Sequence, residues 1–493
     1  MIYLGIDCGT QSAKTVAYDL ADRKIIASAT ESYDVLPGLP AGHMEQNPET
    51  WVQALDSTVE RVLETLGSRR SDVKGIGISG QQHGFIPLDA KGEVIRPAKL
   101  WCDTSTSEEC DLVRKQLGGR TAVIDRLGVD MLPGFTAPKI LWLKHHEPEN
   151  FARLKTVLLP HDYLNFYLTG IYRMEYGDAS GTALLDIKSR TWSQETLNAI
   201  DPKLFLAMPP LGSSKKPIGK LKPELLRRWN LGSDVTVSAG GGDNMMGAIG
   251  TSNIKPGRVT ASLGTSGTIY AYSEKPVIDC EGEVAGFCDS TDAYLPLVCT
   301  MNVTVATEAV RKLFNWSHAQ MEEAIATVTP GSDGLLFLPY LQGERTPNLP
   351  HGTGVFHGLT TRTMSPPHLA RATMEGATLG LAYGLDRLRS LDISPKEIRL
   401  TGGGSKSAIW RQICADVFNC RVVTLAEAEG AALGAAIQAI SAHRPEKSVN
   451  SWADELVEVN VSEAAEPRNA ATYQEAAEKQ KALTAILEER GFL

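Results

Sequence analysis

No CxxC pair, no apolar stretch near the length of a bilayer span and no basic stripe occur in this chain, and each gap closes off a class of function. Without CxxC pairs, the eight cysteines scattered from Cys8 to Cys420 offer neither a zinc knuckle nor a disulfide framework, and they read as reduced packing residues. Without a long apolar run no membrane partner is expected. The opening MIYLGID enters a strand pattern at once and lacks the basic-then-apolar layout of a secretory signal, so a cytoplasmic protein is expected. The net charge of -9 is spread along the chain, which argues against a nucleic-acid partner and leaves any anionic ligand to local, backbone-based binding. No GxxxxGK[ST] motif exists, which excludes the common P-loop. GIGISG matches GxGxxG at Gly75, Gly77 and Gly80, but Ile76 and Ile78 make the segment itself a strand and no helix follows. A phosphate would have to be held by other glycine turns.

Those turns are present. At 493 residues the chain is long enough for two large domains or roughly three ordinary ones. YLGIDCGTQSAKTVAYDL reads as a strand, a turn at Gly9-Thr10 and a returning strand from Lys14 to Tyr18. RVTASLGTSGTIYAYSE repeats the device, with a strand from Arg258 to Leu263 and a Gly264-Thr265-Ser266-Gly267 tip. One such hairpin in each half suggests two similar domains, each offering backbone N–H groups and hydroxyls to a shared ligand, for which phosphates are suited. In IRLTGGGSKSAIWRQICADVF a strand ends at Thr401, and Gly402-Gly403-Gly404 lead into a helix with Ile409 and Ile413 on its apolar face. SAGGGDNMMGAIG again sets three glycines before a helix, and Asp243 there is either its cap or a carboxylate exposed to a ligand. GQQHGF offers Gln82 and His83, and KLWCDTST offers Trp101 and Asp103 at another strand end, as groups suited to a polyhydroxylated guest. Near the end of the sequence, Tyr473, Ala477, Leu483 and Ile486 give the spacing of an amphipathic packing helix.

GIDCGTQSAK, GQQHG, GFTAPKILW, GGGDN, SLGTSG, GERTP and TGGGS, in that order, resemble the FGGY carbohydrate kinases, and Gly354 to Glu375 resembles that family's C-terminal signature. The resemblance implies an α/β fold of two actin-like (ribonuclease H-like) domains, each on a central mixed sheet, with an interdomain cleft. Residues 1–244 would form the sugar-binding domain with the first phosphate hairpin, and 245–493 the ATP-binding domain. The implied substrates are ATP and a small sugar, with Mg²⁺ as cofactor and a homodimer as a candidate assembly. Asp243 would be the catalytic base, and Gln82, His83, Asn244, Trp101 and Asp103 would join it in binding sugar. Thr10, Gln11, Ser12, Gly264, Thr265, Gly402, Gly403, Gly404 and Ser407 would bind nucleotide, and Asp7 the metal. Gln82-His83, where glycerol kinases carry Arg-Glu, together with Gly134 to Lys139, implies phosphorylation of a ketopentose, D-xylulose, to its 5-phosphate. Another ketose or a polyol (ribulose, erythritol, glycerol) is the alternative, since Trp101-Cys102-Asp103-Thr104-Ser105 departs from the Trp-Asn-Asp-x-Arg of many bacterial relatives. An actin-like ATPase without a metabolite substrate is the reading from another class.

Overall fold

A computed structural model describes residues 1–427 and 430–493. The chain forms two compact units, one built from Met1–Ile254, Ser273–Leu295 and Glu429–Val457, the other from Lys255–Tyr272, Pro296–Ala428 and Glu458–Leu493. The interleaving is finer than a single cut after Asn244 expresses.

In the first unit, β1 (Ile2–Cys8), β2 (Ser12–Asp19), β3 (Lys24–Ser32), β4 (Val73–Gly80), β5 (Gly219–Lys220) and β6 (Thr236–Val237) form a mixed sheet in the order β3-β2-β1-β4-β6-β5, with β7 (Gly241–Gly242) also paired to β4. β1 runs antiparallel to β2 and parallel to β4, and β4 runs parallel to β6 and β7. Because the sheet is covered on both faces, β1 reads as nearly continuous apolar sequence. Ile2, Leu4 and Ile6 join Ile76 and Ile78 in one core with Trp51, Leu55 and Val59 of the Pro48–Leu66 helix. Tyr3 and Tyr18 face the other way, toward Leu433, Ala436 and Ile440 of the Gly430–His443 helix. That helix lies unusually close to the sheet: a Cβ on Gly5 or Gly77 would overlap the backbone of Ala432 or Ala435, and one on Gly75 would come within 3.2 Å of the Ala439 carbonyl. Gly75 and Gly77 of GIGISG therefore serve the packing of this helix on the sheet, while Gly80 lies against His161.

The second unit repeats the plan. β8 (Arg258–Leu263), β9 (Gly267–Ala271), β10 (Tyr294–Thr300), β11 (Glu397–Thr401), β12 (Arg421–Leu425) and β13 (Val459–Ala465) are ordered β10-β9-β8-β11-β12-β13. The strand senses match those of the first unit, with β8 antiparallel to β9 and parallel to β11. The two hairpins legible in the sequence occupy equivalent places in their sheets. The last helix, Ala470–Glu489, buries Tyr473 as expected, whereas Ile486 is 56% exposed, so the packed face turns away from it. Among the described residues no helix is long and apolar enough to cross a membrane.

Candidate active site

Three adjacent parallel strands of the first unit end side by side: Asp7 pairs with Ser79 across β1 and β4, and Gly241 and Gly242 pair with Ser79 and Gly80 across β7 and β4. Loops leaving the carboxyl ends of neighbouring parallel strands gather their side chains in one place, and here they carry Asp7, Gln81 to His83, and Asp243. Asp243 is the first residue of the Asp243–Gly250 helix, whose N-cap is Gly242, so the open question of a capping role is answered by position. Its Oδ1 accepts from the Asn244 backbone N–H at 2.8 Å and from Asn244 Nδ2 at 3.0 Å. Burial, with the like charges of Asp7 and Asp178 adding to it, raises its carboxyl from 3.8 to about 7. A carboxylate that titrates near neutrality suits proton abstraction.

Asn244 Nδ2 also donates to Gln82 Oε1 at 2.8 Å. Gln82 is 5% exposed, and its Nε2 is a buried donor with no hydrogen-bond partner among the described residues. A polar ligand beside Asp243 would supply one. His83 sits in the left-handed region (φ 62°), its carbonyl accepting from Thr136 Oγ1 at 3.1 Å and from buried Lys139 Nζ at 3.0 Å. Its ring meets Phe135 edge-on at 4.9 Å. Burial pulls the Lys139 ammonium down to about 7.

The three glycines before Asp243 have a cause different from ligand approach. A Cβ on Gly242 would lie 2.6 Å from Gln82 Cγ, one on Gly241 would overlap the Ser290 hydroxyl, and Gly240 (φ 72°) faces Asn165 and His161 at 2.9 and 3.0 Å. The turn is bare because the protein itself fills the space.

The first hairpin tip is braced from below. Thr10 Oγ1 donates to Gln81 Oε1 at 3.1 Å and accepts from Trp101 Nε1 at 3.0 Å, and Gln46 Nε2 holds the Thr10 carbonyl at 2.7 Å. Trp101, expected to touch sugar, thus spends its indole N–H on the hairpin. Gln11 is exposed, and Ser12 opens β2 half-buried. Asp7 Oδ1 accepts from Ser79 Oγ at 2.7 Å.

Asp103, expected to bind sugar, is engaged within the protein. Its Oδ1 accepts from the Ser105 N–H and hydroxyl at 3.0 and 2.6 Å, and its Oδ2 from the Met44 N–H and Lys99 Nζ at 2.9 and 3.0 Å. Burial would raise this carboxyl, but the Ser105, Met44 and Lys99 donors hold it below the usual range. It is 0% exposed. His43, Glu45 and Asp103 have metal-ligand spacing, but the Lys99 ammonium, 3.3 Å from both His43 Nδ1 and Glu45 Oε1, already provides their cation.

In the second unit the ends of β8 and β11 lie together, Ser262 opposite Thr401, so the Gly264–Thr265 tip and the Gly402–Gly404 turn abut. Gly402 (φ 81°) would bring a Cβ to 2.7 Å from Leu263 C, and one on Gly404 would meet Leu263 and Trp410 at 2.9 and 3.0 Å. Gly403 alone of the three faces open space. Thr265 is exposed, while Ser407 Oγ caps the Ala408–Phe418 helix by accepting from Trp410 N–H at 3.1 Å.

Sequence reasoning passed over a buried ionic cluster behind His83. His161 Nδ1 lies 3.0 Å from Asp178 Oδ2 and its Nε2 2.9 Å from Asp162 Oδ1, all three groups being 0–1% exposed. Nearby Glu175, pushed up by burial to about 7, caps the Tyr176–Ser180 helix. Only the small-residue run of Tyr176-Gly177-Asp178-Ala179-Ser180-Gly181 hinted at it.

The N-terminal domain of the FGGY family of carbohydrate kinases matches residues 2–250, and the family's C-terminal domain matches residues 259–443. A xylulose kinase of Haemophilus influenzae is 42% identical over 90% of this chain and 91% of its own length. A solved xyloylose (xylulose) kinase from Brucella ovis superposes with a TM-score of 0.92 at 31% identity, covering 99% of this chain and all of its own. A gluconate kinase from Lactobacillus acidophilus superposes with a TM-score of 0.91 at 26% identity, covering 99% of this chain and 98% of its own. With two mixed-sheet domains, a neutral-range carboxylate at a strand-to-helix turn and these matches along nearly its whole length, the chain belongs to the FGGY family of carbohydrate kinases.

Proposed function

We propose that this kinase transfers the γ-phosphoryl group of ATP to the terminal hydroxyl of D-xylulose, giving D-xylulose 5-phosphate and ADP. The observation that carries the reading is Asp243, titrating near neutrality and held by Asn244, beside the unspent Gln82 amide. Asp243 takes the hydroxyl proton as the sugar oxygen bonds to the γ-phosphorus and the bond to the bridging oxygen breaks, releasing ADP. Gln82, His83 and Asn244 orient the sugar. The exposed hydroxyl of Thr265 serves the phosphates, and open-faced Gly403, in its turn with Gly402 and Gly404, serves the adenosine. The Thr10–Ser12 tip, braced by Gln81 and Trp101, is a second phosphate loop.

Asp7 fits Mg²⁺ as a hard oxygen donor whose like charge bears on Asp243, a repulsion that a divalent cation relieves. When bound, that ion gathers the phosphate charge. Use of ATP assigns the reaction to the cytoplasm.

The sugar is the finer part of the reading, because a gluconate kinase shares the fold. The relatives named for xylulose and the Gln82-His83 pair support D-xylulose. A site whose buried polar groups are matched by sugar hydroxyls rejects analogues that leave them unpaired, at about 1–3 kcal/mol each. Coupled ADP assays across D-xylulose, L-xylulose, D-ribulose, gluconate, erythritol and glycerol test this. The expected order of kcat/KM puts D-xylulose first and glycerol last; a higher value for any other acceptor overturns the sugar assignment.

A further inference from the structure

Phe135, Phe287 and Gly181 pack closely on the ring of His83. Phe135 and Phe287 hold it at centroid distances of 4.9 and 5.5 Å, and Gly181 leaves its backbone bare beneath it, since a Cβ there would overlap the imidazole. Its backbone is pinned by Thr136 and Lys139 at the carbonyl. Facing its Nδ1 at 3.9 Å is Asp178 Oδ1, a fully buried oxygen with no hydrogen-bond partner among the described residues. The other oxygen of Asp178 is engaged with His161, which is itself clamped by Asp162 on its far nitrogen. Burial alone would discharge His161, but the carboxyls of Asp162 and Asp178 on either side raise it well above its ordinary value.

We propose that Asp178, oriented by His161, is a positioning residue that fixes the ring and tautomer of His83 for sugar binding. The proposal rests on the reading of His83 as a sugar-binding group. A carboxylate facing Nδ1 favours the proton on that nitrogen, which makes Nε2 the acceptor for a sugar hydroxyl. The aromatic walls and the bare Gly181 backbone prevent the ring from turning over to present the wrong edge. The chain of contacts thus passes orientation outward from the core: Asp162 sets His161, His161 sets Asp178, and Asp178 sets His83.

Two substitutions in the full-length protein test the relay by different means. Asp178→Asn removes the charge facing Nδ1. Gly181→Ala keeps every charge, suits its own helical backbone (φ −79°, ψ −1°), and pushes a methyl into the imidazole. Each is expected to raise the D-xylulose KM by about tenfold or more, the loss of one well-placed hydrogen bond, with the ATP KM unchanged. In Asp178→Asn the ¹⁵N spectrum of His83 should show the proton moving from Nδ1 toward Nε2. In a His83→Ala background neither substitution should raise the KM further. Additive losses in that background, or an unchanged sugar KM in Gly181→Ala when His83→Ala alone raises it, overturn the relay while sparing His83 as a sugar group. An unchanged KM in His83→Ala removes both. If Asp178→Asn fails to fold, Gly181→Ala with its double mutant decides.

Discussion

Replacing Asp243 by Asn should cripple the enzyme and stabilise the protein, in a proportion that pH controls. The carboxyl stands at about 7 in the folded chain against 3.8 in the unfolded one. Below 3.8 it is neutral in both states and has no effect on stability. Between 3.8 and 7 the unfolded chain ionises it more readily than the folded chain, so stability is lost as pH rises; above 7 the loss is complete. At 1.36 kcal/mol per unit the full penalty is about 4 kcal/mol, of which roughly 1.6 is present at pH 5. Asn keeps an oxygen for the Asn244 donors without carrying the charge. The melting temperature of Asp243→Asn without ligands should therefore exceed that of wild type by several degrees more at pH 8 than at pH 5, using about 2 °C per kcal/mol for a domain of this size. Turnover should fall by about 10² to 10⁴, the usual worth of a general base. In wild type the same titration makes kcat/KM climb about tenfold from pH 6 to pH 8. A melting difference that is equal at pH 5 and pH 8, together with a flat kcat/KM profile, would refute the buried-base argument.

Asp7→Asn should raise the Mg²⁺ concentration needed for half-maximal activity while leaving the sugar KM alone; unchanged metal dependence would remove Asp7 from the metal site. Asp103→Ala should lower stability by about 3 kcal/mol, because it strips the buried Lys99 ammonium of its nearest carboxylate, and calorimetry showing no loss would mean that Glu45 suffices. Gly242→Ala drives a methyl toward Gln82 and should weaken sugar binding with nucleotide binding intact, whereas Gly403→Ala, open on its exposed side, should affect the ATP KM alone. The opposite pattern would exchange the two glycine turns' roles.

What the sequence makes legible is local. Gly264-Thr265-Ser266 between two strands and Asp7 two residues before Gly9 can be read off the chain because a hairpin closes within a few residues. The reason for the glycines at 240–242 cannot, because the groups that would collide there, Gln82, Asn165 and Ser290, come from distant segments. Asp103, a carboxylate shortly after a tryptophan at a strand end, looks open in its own stretch, and its acceptance from the distant Met44 N–H is visible only in the fold. The relay behind His83 is composed of residues on separate elements, each unremarkable in its own stretch. Ile486 fits the apolar spacing of the last helix, yet periodicity alone does not say how wide the buried stripe is.

The close seating of the Gly430–His443 helix on β1 and β4 bears on how the chain is made. Tyr3 and Tyr18 have Leu433, Ala436, Ile440 and Trp452 as core neighbours, more than four hundred residues later. During synthesis the first sheet must wait, with one apolar face uncovered, until nearly the whole second unit has left the ribosome. That arrangement makes folding of the N-terminal unit depend on completion of the C-terminal one, exposes the nascent chain to aggregation, and makes translation stalled before residue 430 a source of protein that needs a chaperone.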